Sequence, residues 1–178
     1  DDILINAETR CSWQNKIGFV PQHIFLSEGT IRENIAFGVP EKDICLEKIK
    51  KSIKLAHLTE LIKQLPDGIN TKVGERGVRL SGGQRQRIGI ARSLYNEPDV
   101  LVFDEATSAL DGLTEKVIMD AIYDFSGQKT IIMVAHRLKT VKKCDIIFLM
   151  EQGVITMQGS YDELVKSSKL FENMTKHA

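Results

Sequence analysis

Five consecutive residues, Leu80-Ser81-Gly82-Gly83-Gln84, place a hydroxyl and two glycines where a helical pattern begins. Glycines let backbone N–H groups approach an anion closely, and a helix N-terminus adds about half a positive charge. Ser81 supplies a further donor and is a favourable N-cap. Two glycines ahead of a helix are also typical of a plain turn, so the run predicts either a turn or a phosphate-binding helix start.

Two adjacent acids, Asp104 and Glu105, directly follow the apolar run Val100–Phe103. That run shows no alternation, which predicts a strand buried on both faces, as in the centre of a parallel sheet. Open α/β sheets bind ligands at the carboxyl ends of their strands. One carboxylate there can hold a hydrated Mg²⁺ while the next orients a water for phosphoryl transfer. The alternative is a solvated acid pair without a function.

A histidine, His136, follows a second apolar run at Thr130–Ala135. This run is expected to form a strand beside the one that ends at Asp104, because a helical pattern between the two completes a βαβ unit. His136 is then near enough to act on the same phosphate. A structural role for a lone histidine is the alternative interpretation.

Other elements must position these groups. The apolar runs Ile3–Ile5 and Ile17–Val20 are predicted to be strands, and the three- and four-residue spacing over about 43–65 predicts a helical region. The helix that begins near Ser81 should end before Pro98. The fold class expected from these elements is α/β, with a mostly parallel sheet.

The last part of the chain has its own pattern. Asp145–Met150 and Val154–Met157 flank a turn whose Gly153 suits a positive φ, which predicts a hairpin. Ser160 and Glu163 have the spacing of a capping box, which predicts a C-terminal helix.

Composition excludes several classes of protein. The 178 residues are 42% hydrophobic and carry 24 basic and 24 acidic residues, so neither disorder nor a general attraction to nucleic acid is expected. The three cysteines, Cys11, Cys45 and Cys144, lie far apart, which disfavours a zinc site and a disulfide framework. No apolar run approaches the roughly 20 residues of a membrane span.

Taken together, the motifs resemble the ATP-hydrolysing domain of ATP-binding-cassette (ABC) transporters over nearly the whole chain. The matching runs occur in family order: Phe19–Gln22 with the Q-loop, Leu80–Gln84 with the signature sequence, Leu101–Asp104 with the Walker B strand, Ser108–Asp111 with the D-loop, and His136 with the switch histidine. The fold implied is a P-loop NTPase-like core with a helical signature subdomain over about residues 28–95.

The resemblance also implies site roles, with ATP and Mg²⁺ as cofactors. Glu105 and His136 are then catalytic, and Asp104 and Gln22 associate with the metal. The remaining nucleotide-binding residues implied are Gln22, Leu80, Ser81, Gly82, Gly83, Gln84, Ser108 and Asp111.

The implied partners are a second ATPase domain and a transmembrane domain. Two chains pair head to tail, so that Ser81 and its neighbouring glycines complete the other chain's site. Gln22 and the pair Glu75-Arg76 face the coupling helices of the transmembrane domain, and this places the chain at the cytoplasmic face of a membrane.

Two stretches, Thr30–Gly38 and Gly74–Gly77, resemble exporters, in which the second is the X-loop. The run Ile17–Phe25 is similar to exporters that flip lipid-linked oligosaccharides. Several arginines cluster near the signature run, namely Arg76, Arg79, Arg85, Arg87 and Arg92. We interpret them as phosphate or salt-bridge residues and expect no nucleic-acid partner.

The chain departs from the family at the phosphate cradle. The motif GxxxxGK[ST] holds the β- and γ-phosphates, and this sequence contains no Gly-Lys dipeptide. We expect that the chain starts after that loop, that the first part of the core is missing, and that these 178 residues alone are inactive. Two other functions stay open: a soluble ABC-type ATPase of DNA repair, chromosomes or ribosomes, and a non-catalytic interaction fragment.

Overall fold

The computed structural model describes residues 3–74, 79–106, 110–123, 127–135 and 138–176. The chain divides into two compact units, residues 1–132 and 133–178, each described separately below. Among the described residues, no helix combines the length and the apolar character that crossing a bilayer requires.

The described residues form both helices and strands. The strands are β1 (Ile17–Val20), β2 (Gly29–Thr30), β3 (Lys72–Val73), β4 (Val100–Asp104), β5 (Thr130–Val134), β6 (Ile147–Glu151) and β7 (Val154–Gly159). The helices are α1 (Arg10–Gln14), α2 (Ile31–Ile35), α3 (Leu46–Leu55), α4 (Thr59–Gln64), α5 (Gly82–Leu94), α6 (Gly112–Tyr123), α7 (Leu138–Val141), α8 (Tyr161–Ser167) and α9 (Lys169–Lys176).

The main sheet has the strand order β1-β4-β5. Strands β1 and β4 run parallel, with Ile17 opposite Val100 and Val20 opposite Phe103. Leu101 is fully buried and Phe103 is nearly so, which confirms the prediction of a central apolar strand. Since the two strands are parallel, their carboxyl ends lie at the same edge of the sheet.

Helix α5 packs against β1, α2 and α3. Its inward residues include Ile88, Ile90 and Leu94, all almost completely buried. The approach to β1 is close at Gly18, where an added Cβ would lie 2.6 Å from the backbone oxygen of Ser93. Glycine at this position therefore lets the strand that leads to Gln22 lie directly on the helix that starts after Ser81.

One predicted strand is not observed, and one predicted helical region is confirmed as two separate helices. Ile3–Ile5 lies outside any strand and its three side chains are more than half exposed, because no described strand pairs with it to bond its backbone or cover its apolar groups. The helical region over 43–65 consists of two helices, α3 and α4. The break falls at His57, whose φ of +51° is incompatible with a right-handed helix.

The start of α3 is joined to the end of α5 by a buried tyrosine. The Cys45 N–H donates to the Tyr95 hydroxyl oxygen at 2.9 Å, and Tyr95 is 4% exposed. We expect Tyr95→Phe to lower the free energy of unfolding by about 1 kcal/mol, the ordinary value of one such bond. Urea unfolding followed by circular dichroism measures the change.

The control for this prediction is Tyr161→Phe. Tyr161 packs edge-to-face on Phe171, with ring centroids 5.5 Å apart, and its hydroxyl makes no hydrogen bond among the described residues. An equal loss of stability in both variants would contradict a specific contribution from the Cys45 bond.

The second unit contains the predicted hairpin and capped helix. β6 and β7 are antiparallel, and the turn residues Gln152 and Gly153 both have positive φ, as a type I′ turn requires. Ser160 caps α8 through a reciprocal bond with Glu163, which confirms the predicted capping box. The core of the second unit is formed by the buried residues Leu138, Val141, Leu164 and Phe171.

Candidate functional site

The acid pair stands at the carboxyl edge of the main sheet. Asp104 is the last residue of β4, and Glu105 follows it with a φ of +48°. A left-handed conformation at a non-glycine residue costs about 1–3 kcal/mol, and such residues occur preferentially at functional sites. The backbone thus turns sharply at the residue that the sequence analysis assigns to catalysis.

Gln22 reaches the acid pair from the neighbouring strand. Strand β1 ends at Val20, and two residues later the Gln22 amide Nε2 donates to Glu105 Oε2 at 2.7 Å. This hydrogen bond joins residues 83 positions apart. The structure therefore brings together two side chains that were both predicted to belong to the site, at the edge where a parallel sheet binds ligands.

Ser81 occupies the predicted N-cap of α5. The Gln84 N–H donates to Ser81 Oγ at 3.2 Å, and the Ser81 N–H donates to Gln84 Oε1 at 2.8 Å. Gly82 and Gly83 form the first turn behind this capping box. Leu80 is nearly buried just before it, so the run begins inside the protein and emerges at an exposed Ser81. The predicted helix start is confirmed.

The capping box of α5 differs in charge from the two others described. At α2 and α8 the third helical residue is a carboxylate, Glu33 or Glu163. Bonds from the backbone N–H and the side chain of the cap residue, Thr30 or Ser160, lower the pKa of that carboxyl. At α5 the same position is the neutral Gln84, and the first turn contains no acid. The positive end of α5 is therefore left uncompensated by its own sequence, which favours an external anion.

Asp111 stands just before α6. Its Oδ1 accepts the Thr114 N–H at 3.0 Å, and its backbone oxygen accepts the Glu115 N–H at 2.8 Å. The bonds from Thr114 lower the pKa of the Asp111 carboxyl. Asp111 thus caps α6 in addition to any contact with nucleotide.

This cap predicts a pH dependence of stability. A carboxyl with a lowered pKa in the folded protein contributes stability above its unfolded pKa of about 3.9 and loses that contribution as pH falls through the folded value. We expect Asp111→Ala to be less stable than the natural protein at pH 7 and the difference to shrink below about pH 4. Urea unfolding at pH 7 and pH 3 tests this.

Asp111→Asn is the matched variant, because asparagine caps a helix without a charge. Its stability relative to the natural protein should depend on pH in the same direction, with a smaller loss than Asp111→Ala at pH 7. A stability difference for Asp111→Ala that stays constant from pH 7 to pH 3 would contradict the assignment.

Several predicted site residues lie outside the described residues, namely Ser108, His136, Glu75 and Arg76. Within the described part of the chain, no three or more His, Cys, Asp or Glu side chains form a metal-binding group. The described candidate residues therefore form two separate groups: Gln22, Asp104 and Glu105 at the sheet edge, and Ser81 with its glycines at the start of α5.

The residues at the sheet edge suit a magnesium-bound nucleotide. Magnesium prefers oxygen ligands and is commonly held by one or two carboxylates, with water and substrate phosphates as the other ligands. Asp104 and Glu105 supply two adjacent carboxylates, and the Gln22 amide, which contacts Glu105, supplies a further oxygen. This donor set fits a hydrated Mg²⁺ better than a soft metal such as zinc.

Of the arginines near the signature run, three donate to backbone carbonyls. Arg85 donates to Leu80 O at 2.7 Å, Arg87 to His57 O at 2.8 Å, and Arg92 to Asn34 O at 2.8 Å. The expectation for these arginines was a phosphate or a salt bridge. Among the described residues these three donate to main-chain oxygens instead of to a carboxylate, and each bond fixes a loop.

The polar network around Asn34 was not predicted from the sequence. This side chain is fully buried and bonds both to Arg92 and to Ser27, in the segment that follows Gln22. The available signal was an arginine within the apolar run Ile88–Leu94 of the predicted helix, because a charge that becomes buried requires partners.

A comparison with protein families matches residues 1–108 of the chain to the model described as "ABC transporter". The chain belongs to the ABC transporter family. The match covers more than half of the 178 residues and includes Gln22, the signature run and the acid pair.

Curated relatives of this ABC transporter chain include bacterial proteins with informative names. The chain is 43% identical over 98% of its length to the uncharacterized ABC transporter ATP-binding protein YwjA of Bacillus subtilis, of which it covers 30%. It is 37% identical over 90% of its length to the ATP-dependent lipid A-core flippase of Cupriavidus pinatubonensis, of which it covers 28%. The chain thus spans less than a third of the length of these relatives.

A solved structure supports the same fold. The structure described as a bacterial Atm1-family ABC exporter with ATP bound matches with a TM-score of 0.87 and 38% identity, and the alignment covers 94% of this chain and 29% of that one. The predicted α/β ATPase fold is confirmed.

Proposed function

We propose that this chain binds and hydrolyses ATP as the nucleotide-binding domain of an ABC exporter. The observation that carries the proposal is the 2.7 Å hydrogen bond from Gln22 to Glu105 at the carboxyl edge of the parallel sheet. This bond joins Gln22 to Glu105, the glutamine and the acid to which we assign the nucleotide chemistry. Among the possible classes of ABC protein, an exporter is favoured by the stretches Thr30–Gly38 and Gly74–Gly77 and by the names of the relatives.

In this proposal each residue of the sheet edge has a separate role in ATP hydrolysis. Glu105 accepts the proton of the attacking water and orients it toward the γ-phosphate, as phosphoryl transfer requires. Asp104 and the Gln22 amide hold the magnesium. When bound, that ion neutralises charge on the phosphate oxygens. His136 contacts the γ-phosphate, and Ser108 and Asp111 contribute to the nucleotide site from the segment before α6.

The signature run acts on a second site. Leu80, Ser81, the two glycines and Gln84 present an exposed, uncompensated helix N-terminus, which suits the γ-phosphate of a nucleotide held by another chain. Two chains therefore pair head to tail. Residues 28–95 form the helical subdomain that carries this run toward the partner chain.

The membrane-facing side of the chain includes Gln22 and Glu75-Arg76, which contact coupling helices of a transmembrane domain. The chain then works at the cytoplasmic face of a membrane. Because Gln22 also contacts Glu105, movement of the coupling helices changes the position of Glu105 through the Gln22 side chain.

The test is Mg-ATP hydrolysis by the full-length protein in lipid nanodiscs. Turnover should require Mg²⁺ and should fall at least about tenfold in Asp104→Asn at limiting Mg²⁺, because one metal-associated carboxylate is lost. Asp43→Asn, at an exposed position in a short 3₁₀ turn, is the matched control and should behave as the natural protein. Absence of Mg²⁺-dependent turnover in the natural protein would favour a non-catalytic role instead.

A further inference from the structure

The segment Pro21–Ser27, which carries Gln22, has no regular secondary structure but lies along α5. Three helix positions contact it. Gln86 Nε2 donates to Pro21 O at 3.5 Å, Gly89 faces Ile24, and Arg92 Nη1 donates to Phe25 O at 3.0 Å. The helix positions are three residues apart, so they lie on nearly one face of α5. We call this stretch the Gln22 segment.

Arg92 makes the strongest of these contacts. Besides Phe25 O, its guanidinium donates from Nε to Asn34 O at 2.8 Å and from Nη2 to Asn34 Oδ1 at 3.1 Å. Its charge also lies 4.8 Å from the centre of the Phe37 ring. All three guanidinium nitrogens are therefore used, each toward a different oxygen. The planar fork of arginine suits this arrangement, whereas the single ammonium of lysine does not.

Asn34 links Arg92 to the end of the Gln22 segment through hydrogen bonds. Its Oδ1 accepts the Ser27 N–H at 3.0 Å, and its Nδ2 donates to Ser27 O at 3.0 Å and to Thr30 O at 3.0 Å. The side chain is fully buried and its amide is fully bonded. Arg92 thus fixes Phe25 directly and Ser27 through Asn34.

Gly89 lets the segment lie this close to the helix. A Cβ added there would lie 2.2 Å from Ile24 Cδ1 and 2.6 Å from Ile24 Cγ1. Any larger residue would therefore force the side chain of Ile24, two positions after Gln22, to move. The segment is held by apolar contact at Ile24 and by polar contacts on both sides of it.

The exposed hydrogen bond between Gln22 and Glu105 joins side chains of two irregular segments. Ordering a flexible loop has a substantial entropic cost, which a single exposed hydrogen bond does not offset. We propose that Arg92 is a positioning residue of the ATPase site, because its hold on the Gln22 segment keeps Gln22 within hydrogen-bond reach of Glu105. This inference rests on the proposed function.

Two measurements on the full-length protein test the inference: hydrogen–deuterium exchange of the Gln22 segment, and kcat with KM for Mg-ATP. In Arg92→Ala we expect amides of the segment to exchange at least about tenfold faster and kcat to fall about tenfold or more, with KM changed less than about threefold. Arg92→Lys should give intermediate values. A merely structural role would not separate kcat from KM.

Arg87→Ala is the matched control. Arg87 lies on the same helix and also donates to a backbone carbonyl, that of His57, but among the described residues it makes no hydrogen bond to the Gln22 segment. Both readouts should stay within about twofold of the natural protein. Unchanged exchange of the segment, or unchanged kcat, in folded Arg92→Ala would overturn the inference.

A second pair of variants serves if Arg92→Ala does not fold. Gly89→Ala should displace Ile24 and reproduce the faster exchange and lower kcat, and the double variant Gly89→Ala/Ile24→Ala should restore both, because room for the new methyl group returns. Failure of the double variant to recover either readout would contradict the inference. If the natural protein shows no turnover, the proposed function fails, while the exchange data still decide whether Arg92 holds the segment.

Discussion

The Glu105→Gln variant of the full-length protein should bind Mg-ATP about as tightly as the natural protein and hydrolyse it at least about a hundredfold more slowly. A glutamine fits the same space, and its amide oxygen can accept the bond that Gln22 donates to Glu105. It cannot accept a proton from water, and loss of a general base commonly reduces the rate by 10²–10⁴. Equilibrium binding of a fluorescent ATP analogue and steady-state phosphate release measure the two properties.

Glu47→Gln is the control for this variant. Glu47 is an exposed acid of α3 that pairs with Lys50 at 2.8 Å, away from the sheet edge. Its turnover should match the natural protein. Hydrolysis by Glu105→Gln within about twofold of the natural rate would show that Glu105 does not activate the water.

The 178-residue chain by itself should show no ATP turnover above background. Its sequence contains no Gly-Lys dipeptide and so lacks the cradle that supplies amides and a lysine to the β- and γ-phosphates. In the proposed function, Asp104, Glu105 and Gln22 act on the γ-phosphate side of a nucleotide, and they would not replace that anchoring. Phosphate release by the purified chain, with the full-length protein assayed under the same conditions, measures the difference.

The experiment can be extended by mixing the isolated chain with the full-length protein. The amount of labelled ATP analogue bound by the mixture should equal the amount bound by the same quantity of full-length protein without the isolated chain. The prediction fails if the isolated chain hydrolyses Mg-ATP at a rate that Glu105→Gln abolishes, because the activity would then arise from this chain without the cradle.

The parts of the fold that local rules determine were predictable from the sequence. The apolar run Val100–Phe103 predicted the central strand, Ser81 and Ser160 predicted helix starts, and Gly153 predicted the hairpin turn. All four follow from short-range pattern and from backbone chemistry, which a single sequence displays. The roles given to Ser108 and His136 concern residues outside those described, so they stay predictions.

The parts that depend on distant partners were not predictable. Ile3–Ile5 has the composition of a strand, but a strand exists only where another backbone bonds to it. The apolar spacing continues across the break at His57, and the side chain that bonds to the His57 backbone oxygen, Arg87, lies 30 positions away. The partnership of Arg92 with Asn34 joins residues 58 positions apart, and nothing in the local pattern of either predicts the other.

The neutral capping box at Ser81 has a consequence for engineering this protein. Replacing Gln84 with Glu would keep the reciprocal geometry seen with Glu33 and Glu163 and would add about 0.3–1 kcal/mol of favourable charge–dipole energy to α5. The same charge would repel a phosphate from the exposed helix start. Selection of variants by melting temperature would therefore favour this substitution, although it lowers activity. A thermostability screen of this protein needs a parallel turnover assay for that reason.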